Sequence, residues 1–419
     1  MSRVPSVVVL TCIAGLAASS LAHQDTEVAA RLMQDRGVLT ALQAARDGET
    51  QTLADQVRLC EVPAPPLREA DRALVYADAF RSLGLRNVRV DREGNVLGER
   101  PGQAPRPHLI VSAHLDTVFP EGTLVNVRRE GAILRGPGIA DDCRGLAVVL
   151  GVIRALDKGR VQTQGTITFV GTVGEEGLGD LRGVKALFRD TLAGRIDRFV
   201  SIDGGGLGMT HIGVGSQRYR ITFRGSGGHS YGAFGMANPM HALGRAMAAI
   251  SEFKVPAQPK TTFNIGRVGG GTSVNAIASE AWMEVDLRSQ ESPALQELVA
   301  GLFRVVDRAL EDENARWNQV GRLTVEKQLV GDRPAGRTPA DSSLIAAAVS
   351  VTRALRLPVS LHEGSTDANI AMSLKIPAVT IEGGGVATGG HSSNETFDTT
   401  NSWQGTQRAT LLTIALATR

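Results

Sequence analysis

The sequence predicts an α/β protein: a mostly parallel sheet flanked by helices, with a smaller ferredoxin-like α+β domain inserted into it. Two patterns carry that reading. Continuous apolar runs, "HLIVSAHLDTV", "GTITFVGTV", "RFVSID" and "PAVTIEGGG", alternate with helical segments, as strands buried on both faces do. Between "DGGG" (203–206) and "RLTVEKQLVG" the order becomes strand, helix, strand, strand, helix, strand, which is the split ferredoxin-like order.

Taken in order, the first unit is residues 1–22. Arg3, an apolar run and the small-residue end Ser20-Leu21-Ala22 read as a secretory signal peptide cut before His23. The mature chain is therefore expected to be secreted or periplasmic, with no stable membrane span. Residues 23–212 form the first part of the larger domain. Residues 24–60 are helical and polar-faced, "EVPAPPLRE" is a Pro-rich turn, and "ADRALVYADAFRSLGL" is a helix stopping at Gly84. "NVRVDREGNVLGER" alternates and turns at Glu93-Gly94-Asn95, as a hairpin does. "CRGLAVVLGVIRALDKG" is an apolar helix closed by Gly159.

The inserted domain spans 213–330. "QRYRITFRGSG" alternates with period two, "NPMHALGRAMAAISEF" is helical, and "TTFNIGRVGGG" and "SEAWMEVDLRS" are strands. The long amphipathic helix "SPALQELVAGLFRVVDRALEDENA" precedes the closing strand. Residues 331–419 return to the larger domain.

Composition excludes some functions. The 419 residues carry 45 basic and 43 acidic side chains, and no basic stripe with interleaved aromatics. An electrostatic nucleic-acid binder is not expected, and with 4% aromatic residues neither is recognition by stacking. Cys60 and Cys143 are the cysteines of the mature chain, too few for a disulfide framework, and are expected as free thiols.

Polar residues collect at the ends of the apolar runs. His114 and Asp116 follow "LIVSA", Asp141 and Asp142 stand in "GPGIADDCRG", and Glu175 and Glu176 follow "TITFVGTV". Asp203 follows "RFVSI", and His391 lies in "GGGVATGGHSSNE". In an open parallel sheet the carboxyl ends of the strands line one crevice, so residues this far apart in sequence can converge. That many acids in one dry crevice repel and protonate unless cations balance them. Imidazole and carboxylate suit zinc and its neighbours, and two cations roughly 3.5–4 Å apart need a shared carboxylate. Two divalent metal ions are expected, zinc first, with cobalt and manganese the other candidates.

The ordered set "AHLDTV", "GPGIADD", "GEEGLGD", "SIDGG", "GGHS" and "GGHSSNE" resembles the motifs of the co-catalytic zinc peptidase family. That family includes peptidase T (tripeptide aminopeptidase), glutamate carboxypeptidase, aminoacylase, and the acetylornithine and succinyl-diaminopimelate deacylases. The resemblance runs from about residue 50 to the C-terminus. It implies a zinc exopeptidase-like catalytic domain, an inserted dimerisation or lid domain, and hence a homodimer. It implies His114 and Asp203 as ligands of one metal, Glu176 and His391 as ligands of the other, and Asp141 as the carboxylate bridging both. Asp116 resembles the acid that orients the His114 ring. Asp142 follows the bridge at a peptide often cis in the family, and is read as structural.

Glu175 resembles the general base that takes a proton from the attacking water. His229 resembles a catalytic histidine of the inserted domain that reaches a centre, often that of the partner subunit. Arg288 in "DLRS" and Asn275 in "TSVNAIA" resemble residues that hold the substrate. Glu395 stands four after His391, and either supports the site or faces solvent. Cys143 and Arg144 follow the aspartate pair where many members carry Lys two positions after the bridge.

The reading is a metal-dependent hydrolase of amide or peptide bonds in small peptide or N-acyl amino acid substrates. An exopeptidase of the tripeptide aminopeptidase type is favoured. An N-acyl-amino-acid deacylase or glutamate-carboxypeptidase-like hydrolase is the alternative, and a non-catalytic binding protein on the same fold is more remote.

Overall fold

Strands rich in Val, Ile and Phe with no polar alternation must lose water on both faces, which places them inside a sheet covered by helices. The computed structural model describes residues 29–418. The expected signal peptide at 1–22 lies outside the described residues.

Helices Arg36–Asp47, Glu49–Cys60 and Ala70–Ser82 precede the hairpin β1 (Arg86–Val90) and β2 (Val96–Arg100). Then come β3 (Leu109–His114), the short pair β4 (Arg128–Glu130) and β5 (Ile133–Arg135), helix Cys143–Lys158, β6 (Ile167–Thr172), β7 (Arg198–Ile202) and β8 (Met209–Gly213). The inserted unit holds β9 (Gly215–Arg224), β10 (Gly228–His229), helix Pro239–Ser251, β11 (Thr261–Gly270), β12 (Ala276–Ile277), β13 (Glu280–Ser289), helix Ser292–Arg316 and β14 (Thr324–Arg333). The chain closes with β15 (Gly336–Arg337), helix Ser343–Ala354, β16 (Leu361–Gly364), helix Ala368–Ser373, β17 (Ala378–Ile381), β18 (Val386–Thr388), β19 (Thr396–Asp398) and helix Trp403–Ala417.

The main sheet runs β1-β2-β6-β3-β7-β17-β8-β15, with β16 beside β8. Its centre, β6-β3-β7-β17, is parallel, and antiparallel pairs extend it at both sides. His114 stands opposite Thr172 in that register. The carboxyl ends of β3 and β6 therefore finish level, and the polar residues beyond them open onto one rim.

Helix Cys143–Lys158 packs across this centre, between helices Arg36–Asp47, Glu49–Cys60 and Trp403–Ala417 and strands β3 and β7. Asp142 caps it by accepting from the Gly145 amide at 2.8 Å. From Cys143 to Ile153 every residue is buried, Arg144 included. Arg144 is satisfied by the Gly383 and Ser402 carbonyls and by Glu49 at 2.9 Å. Its buried charge ties the start of this helix to the last segment of the chain.

A second small sheet, β18-β19-β5-β4, was not legible in the sequence. Its strands are three residues each, too short to show a period. The inserted domain is the antiparallel sheet β11-β13-β9-β14 with its two helices packed on one face. Along β13, Ala281, Met283, Val285 and Leu287 are buried toward those helices, and Glu280, Trp282, Glu284, Asp286 and Arg288 take the other face. That face carries a ladder of cross-strand ion pairs: Arg218–Asp286 at 3.1 Å, Arg220–Glu284 at 2.9 Å, and Arg224–Glu280. Strand β14 runs to Arg333, three residues past the expected boundary at 330.

Candidate metal centre

The loop "GTVGEEGLGD" leaves β6 and turns back on itself, and its glycines explain how. Gly174 has φ +69°, and a side chain there would strike Arg182; a side chain on Gly179 would strike the Gly174 backbone at 2.5 Å. The Leu181 amide closes the loop on the Gly174 carbonyl at 2.8 Å. Glu175 and Glu176 sit on the tip and are buried.

Asp116, at the end of β3, accepts from both tip amides, Glu175 N at 3.0 Å and Glu176 N at 2.8 Å. It also lies 3.6 Å from His114 Nδ1. Burial works to raise the Asp116 pKa, but these hydrogen bonds hold it below the usual carboxylate value. One fully buried residue thus sets both: the Asp116 carbonyl holds His114 Nδ1 at 3.1 Å, and its carboxylate holds the glutamate loop.

On the other ring nitrogen, His114 Nε2 is 2.9 Å from Asp141 Oδ1 and 3.9 Å from Asp203 Oδ1. The second oxygen of Asp141 is 3.1 Å from His391 Nε2, which is also 3.1 Å from Glu176 Oε1. Asp141 therefore stands between two imidazoles, each with one further carboxylate: Asp203 on the first side and Glu176 on the second.

The electrostatics are those of a crowded anionic site. Burial pushes Asp203 up to about 7. Burial also raises Glu175 well above its ordinary value. Hydrogen bonds to Asp141 and Glu176 pull His391 up to about 10.

Ligand atoms lie within 4.8 Å of one another in three interlocked groups: His114, Asp142 and Asp203; His114, Glu175 and Glu176; Asp141, Glu176 and His391. Asp142 and Glu175 stand apart among them: the oxygens of Asp142 already accept from the Gly145, His114 and Gly204 amides, and Glu175 Oε1 faces Arg333 at 3.3 Å. The Asp141–Asp142 peptide is cis. The remaining donors, imidazole nitrogens and carboxylate oxygens around one shared carboxylate, fit two divalent ions.

Glu395 belongs to the support of this site and not to solvent. It is fully buried and accepts from the Gly138, Ala140 and Asp141 amides at 2.9, 2.8 and 3.0 Å. Cys60 and Cys143 are free and buried. Among the described residues no helix is long and apolar enough to cross a membrane.

A cavity of about 450 Å³ opens over the centre, lined by Asp141, Glu175, Glu176, Asp203 and His391 on one side and by Arg218, Arg288 and Arg333 on the other. The three arginines come from β9, β13 and β14, at the end of the inserted sheet nearest the catalytic domain; Arg288 and Arg333 both stand opposite Ser216. Arg288 was expected from sequence, whereas Arg218 and Arg333 were not. Arg333 lies beyond the end of the predicted strand, and only the closing of the sheet brings it to Glu175. His229 and Asn275 are near each other on the inserted domain, where the Ser230 amide donates to the Asn275 carbonyl at 3.0 Å. Both are exposed, and neither lines this cavity.

Fold and donor set together define a metal-dependent hydrolase built around two metal ions. The chain belongs to peptidase family M20/M25/M40, whose model matches residues 110–413. It is 25% identical to the uncharacterized protein YqjE of Bacillus subtilis (strain 168) over 351 residues, 80% of this chain and 90% of that protein. It is 38% identical to carboxypeptidase G2 of Pseudomonas sp. (strain RS-16) over 104 residues, 23% of this chain and 25% of the relative. Its fold matches aminopeptidase PepT from Bacillus cereus ATCC 10987 with a TM-score of 0.70 at 22% identity, covering 87% of this chain and 98% of that one.

Proposed function

We propose that the protein is an exopeptidase of the tripeptide aminopeptidase type, acting on short peptides. The observation that carries hydrolysis of a small, carboxylate-bearing substrate is the position of Arg288 across the cavity from Glu175 and the ligand cluster; the family resemblance of the motifs favours the aminopeptidase type within it. Arg288 Nε donates to Asp286 at 2.6 Å, and its two terminal amino groups make no hydrogen bond to the described residues. A guanidinium held at its root and free at its fork is suited to a substrate carboxylate, which it can bond through both oxygens. A cavity of about 450 Å³ suits a short peptide.

In this reading His114 and Asp203 hold one metal ion, Glu176 and His391 the other, and Asp141 both. Zinc suits these donors first. Bound there, the ions would polarise the scissile carbonyl and make a water acidic enough for a carboxylate to deprotonate. Glu175 supplies that carboxylate. Its Oε1 is held by Arg333 at 3.3 Å, which leaves Oε2 for the proton. Glu175 then delivers the proton to the leaving nitrogen. Asp116 holds the His114 ring and the Glu175 amide in place throughout.

The local identity to carboxypeptidase G2 favours a second reading, release of a C-terminal amino acid, which Arg288 would serve equally. The resemblance that assigns His229 to a neighbouring subunit's centre is supported by its exposure outside this cavity, and we take the protein to be a homodimer. Export rests on the N-terminal sequence.

The test is product identification. The chain lacking residues 1–22, loaded with zinc or cobalt, is incubated with tripeptides, dipeptides and N-acyl amino acids, with Glu175→Gln as the blank. Loss of N-terminal residues from tripeptides supports the aminopeptidase reading. Release of free amino acids from acyl conjugates alone replaces it with the second. No turnover above the blank leaves the binding-protein reading.

A further inference from the structure

We propose that Arg333 is a positioning residue that couples the inserted domain to the general base. This rests on the assignment of Glu175 as that base.

Arg333 ends β14, and its side chain is 5% exposed. Its Nη1 reaches Glu175 Oε1 and Ser365 Oγ, both at 3.3 Å. Its Nη2 donates to the Glu175 carbonyl and lies 3.5 Å from the Gly177 carbonyl. Side chain and backbone of the same glutamate are thus gripped by one rigid planar fork. Arg218, the neighbour of Gly331 across the β9–β14 ladder, donates to the same Gly177 carbonyl. Next along β14, the Asp332 amide donates to Asp180 Oδ1 at 2.7 Å, and Lys185 donates to the Asp332 carbonyl at 2.8 Å.

The glutamate loop is therefore clamped between two bodies. Asp116 holds its amides from the catalytic sheet, and Arg218, Asp332 and Arg333 hold its carbonyls and its far end from the inserted sheet. Arg288 differs: its fork is free for substrate, whereas the fork of Arg333 is filled by protein. Arg333 Nε is buried, and no described residue accepts from it. Any rotation of the inserted domain about its two strand connections would carry Arg333, and with it the carboxylate of Glu175.

The experiment compares Arg333→Ala, Arg333→Lys and Glu175→Gln, each assayed for metal content, kcat and KM. Arg333→Ala should keep two metal ions per chain and hold KM within about threefold. Its kcat should fall about 100-fold and recover in part with millimolar guanidinium. Lysine cannot reach the carboxylate and the carbonyls together, so Arg333→Lys should lose about tenfold in kcat; this variant decides the matter if the alanine variant does not fold. A rise in KM at unchanged kcat would make Arg333 a substrate anchor and overturn the proposal. So would metal loss that tracks the loss of activity, or a lysine variant with full kcat. Activity retained in Glu175→Gln overturns the base assignment and this inference with it. An inactive Glu175→Gln beside a fully active Arg333→Ala overturns this inference alone.

Discussion

The guanidinium of Arg333 lies 3.3 Å from the carboxylate of Glu175, although 158 residues separate them in sequence. The pair explains how two adjacent glutamates can share one loop tip. Glu176 faces the ligand cluster and His391, while Glu175 faces a cation supplied by the inserted domain. Each carboxylate has its own counter-charge.

That division separates binding from turnover. Glu175→Gln keeps the shape of the side chain and leaves the metal donors untouched. Two metal ions per chain are expected to remain, with kcat down by about 1,000-fold. Elemental analysis beside steady-state assays checks this; near wild-type turnover would remove Glu175 from the role of base.

His391 is tested by stoichiometry. Its side chain is 59% exposed, so Ala there should leave the metal-free chain folded, with a lower thermal midpoint at neutral pH because the contacts with Asp141 and Glu176 are lost. One of the two metal ions should be lost on dialysis, with activity. Full metal content in the variant would exclude His391 as a ligand.

Metal loading should release protons. His391 stands near 10 in the metal-free chain, and His114 is also raised well above its ordinary value. A metal binds only neutral imidazole. At about 10 the His391 ring is protonated at pH 8, so binding there displaces a proton. Affinity therefore rises with pH toward about 10 and falls as pH is lowered. Calorimetric titration with zinc in buffers of different ionisation heat should show release of about one proton or more per chain. Zero release would contradict the contacts of His391 with Asp141 and Glu176.

Asp116→Asn keeps the volume and the main-chain carbonyl that holds His114 Nδ1, but weakens the acceptors of the two loop amides and removes the charge 3.6 Å from the ring. Metal affinity should fall about 10- to 100-fold, measured by competition with a chelator. Unchanged affinity would mean that the ring and the loop are placed by packing alone.

Glu395→Ala removes the acceptor of three buried amides around Asp141. Each unsatisfied donor costs about 1–3 kcal/mol, so a lower thermal midpoint is expected even without metal. An unchanged midpoint would show that water replaces the carboxylate.

What the sequence by itself determined is the part written in local pattern. Short apolar runs that alternate with helical segments read as buried strands, and polar residues at their ends can then share the carboxyl rim of a parallel sheet. That is why His114, Asp141, Glu175, Glu176, Asp203 and His391 could be read as a collection, none of them telling alone, with their separate roles implied only by the family resemblance. Glu395 was visible but undecided, because nothing local tells a buried acceptor from a solvated acid. Only the tertiary structure decided which groups face the cavity from the other domain. Arg218 and Arg333 read as ordinary strand arginines until β9 and β14 pair and their ends meet the glutamate loop. His229 and Asn275 carry a family pattern, yet within one chain they stand outside the cavity. The physical reason is common to all of them. Period and composition report whether a residue is buried on its own element, whereas contacts across domains depend on how two separately folded sheets are joined.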